Sequence, residues 1–280
     1  MNRLFVVKKP VNISSNFYLS RIKRKYKEKV AGFSGTLDPF ACGCLIVAFG
    51  KYPQLFRFLK KAPKTYRTTM WLDVESSSFD IENIIKTEIN NSKLDEQIVK
   101  QELNGLVGTL EYLPPKYSAK NIDGKRAYEM AREGIDFEMK HITSSIYDVK
   151  FINYNHPFIS FDIKVSEGSY IRSIAQVLLD RLGRNGTLSY LERLNEGDFV
   201  FNDEVALNPI NYLDLEQNVY VGDKSWFILG KKLNIEYFEN KADNHYLIIF
   251  DDFFSIIKIQ DGEPKYVLNR VYFDETYGNI

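Results

Sequence analysis

Twenty consecutive residues, Ala31 to Gly50, carry a single charge, that of Asp38. A stretch so bare of charge belongs in an interior. Its first part, Ala31–Gly43, is rich in glycine, serine, threonine and proline and reads as loop. Its second part, Cys44–Phe49, is an unbroken apolar run that suits a strand buried on both faces. Such a strand must be covered from two sides. With 280 residues, 44% of them hydrophobic, the chain can supply that cover without disulfide or metal staples. The 26% of charged residues is an ordinary globular value and excludes general disorder, and the length suits one large domain plus a small one, or two of middling size.

The other patterns call for both strands and helices. Leu4–Lys8 reads as a short strand closed by Pro10, after which Ser14 or Ser15 can cap a helix with Tyr18, Leu19, Ile22 and Tyr26 on one face. Tyr66–Val74 is the next strand; Asp95–Leu103 and Lys125–Arg132 have helical spacing, the latter ending at Gly134. Ile159, Phe161, Ile163 and Val165 alternate with polar residues, and Tyr147, Val149 and Phe151 do the same just before, so the two segments pair antiparallel across Asn155–Pro157. Ser169 then caps a helix bearing Ile171, Ile174, Ala175, Leu178 and Leu182, stopped by Gly183. Beyond about Asn195 the texture changes to short β-like runs, Leu247–Phe250, Phe253–Ile259 and Tyr266–Phe273, which predict a small β-rich domain from residue 212. The fold class is α+β.

Cys42 and Cys44 are the only cysteines. On the view that neighbouring strand positions face opposite ways, no disulfide is expected between them. His141, His156 and His245 are scattered, so no metal-ligand cluster follows from local spacing. The apolar run near the amino terminus, Leu4–Val7, is too short for a signal or an anchor, and the expected setting is a reducing cytoplasm without membrane attachment.

A formal net charge of zero hides an asymmetry: the first 70 residues hold 15 Lys and Arg against two acidic residues, Glu28 and Asp38, leaving 22 against 35 in the rest. The densest run is Arg21, Lys23, Arg24, Lys25, Lys27 and Lys29. Alone, that run reads equally as a solvated helix face. Concentration of the whole surplus in one quarter of the chain points to a polyanion, most simply nucleic acid.

Asp38 stands among small and apolar residues, where a carboxylate is costly to bury unless a cation or several donors meet it. By residue type alone, an Asp-Pro turn in which the side chain caps its own backbone is the simpler reading. A partner is available far along the chain. Within Val165–Leu179 the only charges are Glu167 and Arg172, and Arg172 opens its helix. It is either an ordinary surface arginine or the guanidinium that holds Asp38 ionised by a forked pair.

Gly32–Gly43 resembles the catalytic loop of the pseudouridine synthases of the TruB type, which modify uridine 55 in the T-loop of transfer RNA. Further blocks agree in order: Val7–Pro10 with Ser14-Ser15, Lys64–Arg67, Pro115–Ala119, Gly124–Tyr128 with Ala131–Gly134, Ser166–Arg172 and Tyr190–Leu194. The resemblance implies a central mixed, mostly antiparallel sheet flanked by helices in residues 1–211. An RNA-gripping insertion at about 120–140 would order on RNA, and a small β-rich PUA-like domain would occupy 212–280. It implies Asp38 as the nucleophile toward uracil C6 or sugar C1′, Arg172 as its partner, and Tyr66 stacking on the flipped uracil and helping remove the C5 proton. Tyr170 and Leu191 would line the pocket wall, with Lys9 and Phe33 also on the substrate. No cofactor or metal is implied; the partner is the T-stem-loop of transfer RNA, met by a monomer. Two other functions compete: a transfer-RNA-binding or folding module that does not catalyse, and a guide-RNA-dependent relative.

Three positions depart from the family pattern. Phe33 replaces the usual histidine, keeping a stacking face and losing its polar atoms. Glu167 stands where a basic residue is common, and Asn12 replaces a glycine of the opening turn, which asparagine tolerates because it accepts left-handed backbone. Residues 211–280 hold 7 basic and 12 acidic residues, so the tail is expected to add little to phosphate binding.

Overall fold

The run from Cys42 to Phe49 is buried at every position, and the fold is assembled around it. The structure, a computed structural model, describes residues 1–88, 90, 92–118, 120–122 and 124–274. In chain order its elements are β1 (Arg3–Lys9), α1 (Ser15–Tyr26), β2 (Ala31–Ser34), β3 (Cys42–Phe49), β4 (Lys64–Leu72), β5 (Val74–Ser76), β6 (Ile84–Thr87), α2 (Glu96–Asn104), β7 (Gly108–Tyr112), β8 (Asn121–Ile122), β9 (Lys125–Arg126), α3 (Ala127–Arg132), β10 (Ile142–Asn155), β11 (Phe158–Val165), α4 (Ile171–Arg181), β12 (Gly186–Glu196), β13 (Phe199–Val200), β14 (Glu216–Gln217), α5 (Ser225–Leu229), β15 (Asn244–Ile249), β16 (Phe253–Gln260) and β17 (Glu263–Tyr272).

Nine strands form the main sheet in the order β1-β3-β12-β4-β11-β10-β7, with β2 added to β3 and β13 to β12. Its pairs are antiparallel except β3 with β12, which run parallel over Cys42–Gly43. This is the mixed, mostly antiparallel sheet expected. The smaller sheet, β14-β15-β16-β17, lies in the C-terminal part, where the short apolar runs predicted β structure.

Burial of β3 on both faces has a plain cause. Leu45, Val47 and Phe49 pack with Phe5 and Val7 under Ile22, Tyr18, Leu19 and Tyr26 of α1. Cys44, Ile46 and Ala48 pack with Leu4 and Val6 against Leu247, Phe254, Ile256 and Val271 of the C-terminal sheet. The acidic tail is thus the second cover of the central strand. A third cluster, under α4 and α2, buries Met70, Leu72, Ile159, Phe161 and Ile163 against Ile174, Leu178, Val99 and Leu103.

Several local expectations are corrected. Ala31–Ser34 forms β2 on the edge of β3, since backbone groups entering a buried region need partners, and only the residues after Ser34 loop out. The strand from Tyr66 breaks at Asp73, whose φ of 63° separates β4 from β5. In β10 a register shift between Ile146 and Asp148 turns Tyr147 outward, 54% exposed, while Ile146 and Val149 stay inside. Tyr170, not Ser169, is the N-cap of α4; the Ser169 hydroxyl donates instead to the Ser166 carbonyl. Both cysteines are free, but not for the reason given. They are two positions apart, a spacing that shares a face in a regular strand; about 6.6 Å of separation, against the ~3.8 Å between Cβ atoms that a disulfide needs, keeps them unbridged. Ala119, the end of the Pro115–Ala119 block, lies outside the described residues. No helix among the described residues is long and apolar enough to cross a membrane.

Gly43 marks where β3 meets β12. Its φ is 105°, and a Cβ there would lie 2.2 Å from the Arg193 carbonyl oxygen. Gly43→Ala is therefore expected to destabilise the protein by about 3 kcal/mol or more. Urea unfolding reads this directly; an unchanged midpoint would mean that the two backbones do not meet as described.

Candidate active site

Asp38 sits between β2 and β3, in a loop held from several sides. The Ala41 amide donates to the Asp38 carbonyl at 3.1 Å, so the Asp-Pro turn does form. Its side chain does not cap that turn. One oxygen, Oδ2, meets Arg172 Nε at 2.9 Å. The contact runs through Nε alone and is not the forked pair expected, because the other two guanidinium nitrogens are taken by Ser78, Asp80 and Tyr117.

The serine pair before α1 divides two tasks. Ser14 caps the helix, accepting from the Phe17 amide. The buried Ser15 hydroxyl lies 3.0 Å from both the amide and the carbonyl of Leu37, pinning the residue next to Asp38. Asn12 takes the left-handed conformation expected of it, with φ of 59°. Lys9 does not lie on the substrate side: it is fully buried, and its ammonium donates to the carbonyls of Ile13, Pro10 and Pro39 at 2.6, 2.9 and 3.3 Å. Burial pulls its pKa down to about 8. Lys9 ties the opening turn to the loop that carries Asp38, a place suited to positioning that loop.

Arg172, 4% exposed, is fully engaged at the start of α4. Besides Asp38 it meets Asp80 Oδ2 at 3.2 Å and donates to the carbonyls of Ser78 and Tyr117 at 2.8 and 2.7 Å. Asp80 in turn accepts from the Ser78 hydroxyl and the Glu82 amide. Two carboxylates therefore share one guanidinium. Burial is the largest influence on Asp38 and raises its pKa; Arg172 opposes this, Asp80 reinforces it, and Lys9 opposes it. The Asp38 side chain keeps 33% of its surface accessible.

Two cavities meet at this carboxylate. One, of about 320 Å³, is lined by Asp38, Arg172, Tyr66, Tyr170, Leu191 and Lys64 among others. Tyr66 from β4 and Leu191 from β12 reach it because those strands are neighbours, and Tyr170 because it caps α4. A wider cleft, about 1040 Å³, runs from Ser14–Asn16 past Asp38 and Asp80 to Arg126, Tyr128 and Arg132. The last three come from β9 and α3, within the region expected to grip RNA, and stand on the cleft wall. Phe33 lines neither cavity; it packs, partly buried, with the cluster beneath α1. Glu167 lies on the smaller cavity and pairs with Lys61 at 3.4 Å.

Beneath the smaller cavity lies an acid, Glu196, that carries no signal in the sequence. Glu196, fully buried, pairs with Lys64 at 2.9 Å and Arg193 at 2.8 Å. Arg193 also donates to the carbonyls of Gly35 and Cys44, one on each side of Asp38. Gly35, with φ of 69°, rests on this group, and a Cβ there would come within 3.0 Å of Glu196. Asp80 is equally silent: nothing in its local pattern distinguishes it from a turn aspartate. No group of three or more His, Cys, Asp or Glu able to hold a metal occurs among the described residues.

A family model described as TruB family pseudouridylate synthase (N terminal domain) matches residues 23–171. The chain belongs to the TruB family. It is 49% identical over 277 residues to the tRNA pseudouridine synthase B of a Sulfurovum species, covering 99% of this chain and all of that one. It is 50% identical over 271 residues to the enzyme of the same name from a Nitratiruptor species, covering 97% and 98%. Among solved structures, a chain from the crystal structure of a Cbf5-Nop10-Gar1 complex matches with a TM-score of 0.65 at 17% identity, over 97% of this chain and 84% of that one. That likeness concerns the fold. The TruB-family chain is a pseudouridine synthase, an isomerase.

Lys9→Met tests the positioning role. It is expected to lower kcat by about tenfold or more while leaving the Kd for RNA within about threefold, because it loosens the loop and removes no substrate contact. A loss confined to RNA binding would return Lys9 to the substrate-binding set.

Proposed function

We propose that this enzyme converts uridine to pseudouridine in the T-loop of transfer RNA, with Asp38 as the nucleophile and no cofactor. The observation that carries this reading is the Arg172–Asp38 ion pair at the shared wall of the two cavities. An ionised, oriented carboxylate facing a pocket of nucleobase size is what the reaction requires.

The target base must first leave the RNA stack, at a cost on the order of a few kcal/mol, offset by aromatic stacking and phosphate contacts. Tyr66, buried in β4 with its ring on the cavity, supplies the stacking face, and Leu191 and Tyr170 close the walls. Asp38 adds to the nucleotide at uracil C6 or sugar C1′, and the N1–C1′ bond breaks. The uracil turns, and a C5–C1′ bond forms as Asp38 departs. One proton leaves C5 and one is gained at N1, so the product is an isomer and no electrons are exchanged. Tyr66 lines the cavity, and its hydroxyl, as the phenolate, would help remove the C5 proton.

The name of the curated relatives and the unpaired cations of α1 support transfer RNA as the substrate. Among the described residues, Arg21, Lys23, Arg24 and Lys27 make no ion pair with a carboxylate, leaving them to phosphates. Residues 120–140 flank the cleft where the T-stem-loop would lie. Leu247, Phe254, Ile256 and Val271 of the C-terminal sheet serve as cover of β3, in keeping with the acidic balance of that part of the chain.

Asp38→Asn is nearly isosteric and leaves one oxygen without charge. It is expected to cut tritium release from transfer RNA labelled at uridine C5 by at least about 10³-fold, with RNA still retained on a filter. Turnover that survives the change would overturn the nucleophile assignment.

A further inference from the structure

The surface beside the cleft carries a feature that the catalytic reading leaves unused. Phe17, in the first turn of α1, is 50% exposed, the most exposed phenylalanine among the described residues. The guanidinium of Arg21, one turn on, lies 5.0 Å from its ring centroid. With Pro10, Val11, Asn12, Ile13 and Ser14 they line an open groove. Val11, 45% exposed, adds a second uncovered apolar side chain. The left-handed turn at Asn12 shapes this groove, and Ser14 belongs both to it and to the wide cleft that reaches Asp38.

We propose that the Val11–Phe17–Arg21 groove is a nucleobase-stacking site that holds a base of the RNA substrate outside the catalytic cavity. The inference rests on the reading that the substrate is RNA. A ring backed by a guanidinium offers a flat face to any base and a positive charge to the adjoining phosphate, a sequence-tolerant combination. Lys23 and Arg24 on the same helix, which make no ion pair among the described residues, would guide the strand onto it. A nucleotide turned into the cavity leaves its neighbours unstacked at the mouth, where such a platform recovers part of the stacking they lose.

The test uses the full chain and a synthetic T-stem-loop, with Phe17→Ala and Phe17→Trp beside the unaltered protein. Phe17→Ala is expected to raise KM about tenfold with kcat within about twofold. Phe17→Trp is expected to restore KM and to show tryptophan emission quenched by RNA beyond the response of the unaltered protein. An unmoved KM in Phe17→Ala overturns the proposal. So does a rise that Phe17→Trp does not rescue, or emission from Phe17→Trp that RNA leaves unchanged. The quenching needs no turnover. If it appears with an RNA that the unaltered protein fails to isomerise, the stacking site stands and the catalytic reading falls.

Discussion

Among the described residues, Arg172 is the one cation in contact with both Asp38 and Asp80, and its remaining donors go to the carbonyls of Ser78 and Tyr117. Taking two carboxylates and an arginine out of water is expensive, and an arrangement of this kind contributes little net stability. Removing the cation is another matter, since it leaves two buried negative charges facing each other. The arrangement fixes Asp38 in one place, charged, at the edge of a cavity. Binding at Asp80 and at two carbonyls stops the guanidinium from following any movement of the carboxylate, so its field stays at the edge of the cavity.

The remaining structure holds the two ends of that contact at 2.9 Å. Arg172 is carried by α4, whose apolar face is buried in the largest core cluster. Asp38 is carried by a loop that leaves β2 and re-enters β3. Ser15 and Lys9 brace that loop from the α1 side, and Arg193 braces its stems from β12. The Lys64–Glu196–Arg193 group lies below Gly35 and keeps Arg193 in position. Even the C-terminal sheet takes part, because it covers the face of β3 that α1 does not.

Much of this was legible in the residues. The uncharged run announced a doubly covered strand, and alternation in Ile159–Val165 announced β11 and its hairpin. Asp38 stood out as a lone charge and Arg172 as one of two charges in apolar surroundings, far apart in the chain, and the ordered family blocks joined them. What stayed hidden depends on side-chain partners brought in by topology. Asp80 and Glu196 look like any turn or strand acid until the fold places a cation beside each. Lys9 carries the motif of a substrate contact, yet its short reach to three carbonyls turns it inward. Phe33 has a ring fit for stacking, but β2 aligns it with the cluster under α1. The outward turn of Tyr147 has a local cause, a bulge that shifts the alternation by one, and periodicity alone cannot see it.

The pH dependence of the single-turnover rate tests the shared-guanidinium account most directly. Under the proposed mechanism Asp38 attacks only when ionised, and its pKa is raised above the ordinary carboxylate value of 3.8 by burial and by Asp80. The rate is therefore predicted to fall on acidification at a pH above that value. In Asp80→Asn, with the like charge gone, the acid limb is predicted to move to lower pH, with Glu82 and Lys9 still in place. An acid limb at or below the ordinary value in the unaltered enzyme, or one that Asp80→Asn leaves where it was, would contradict the account.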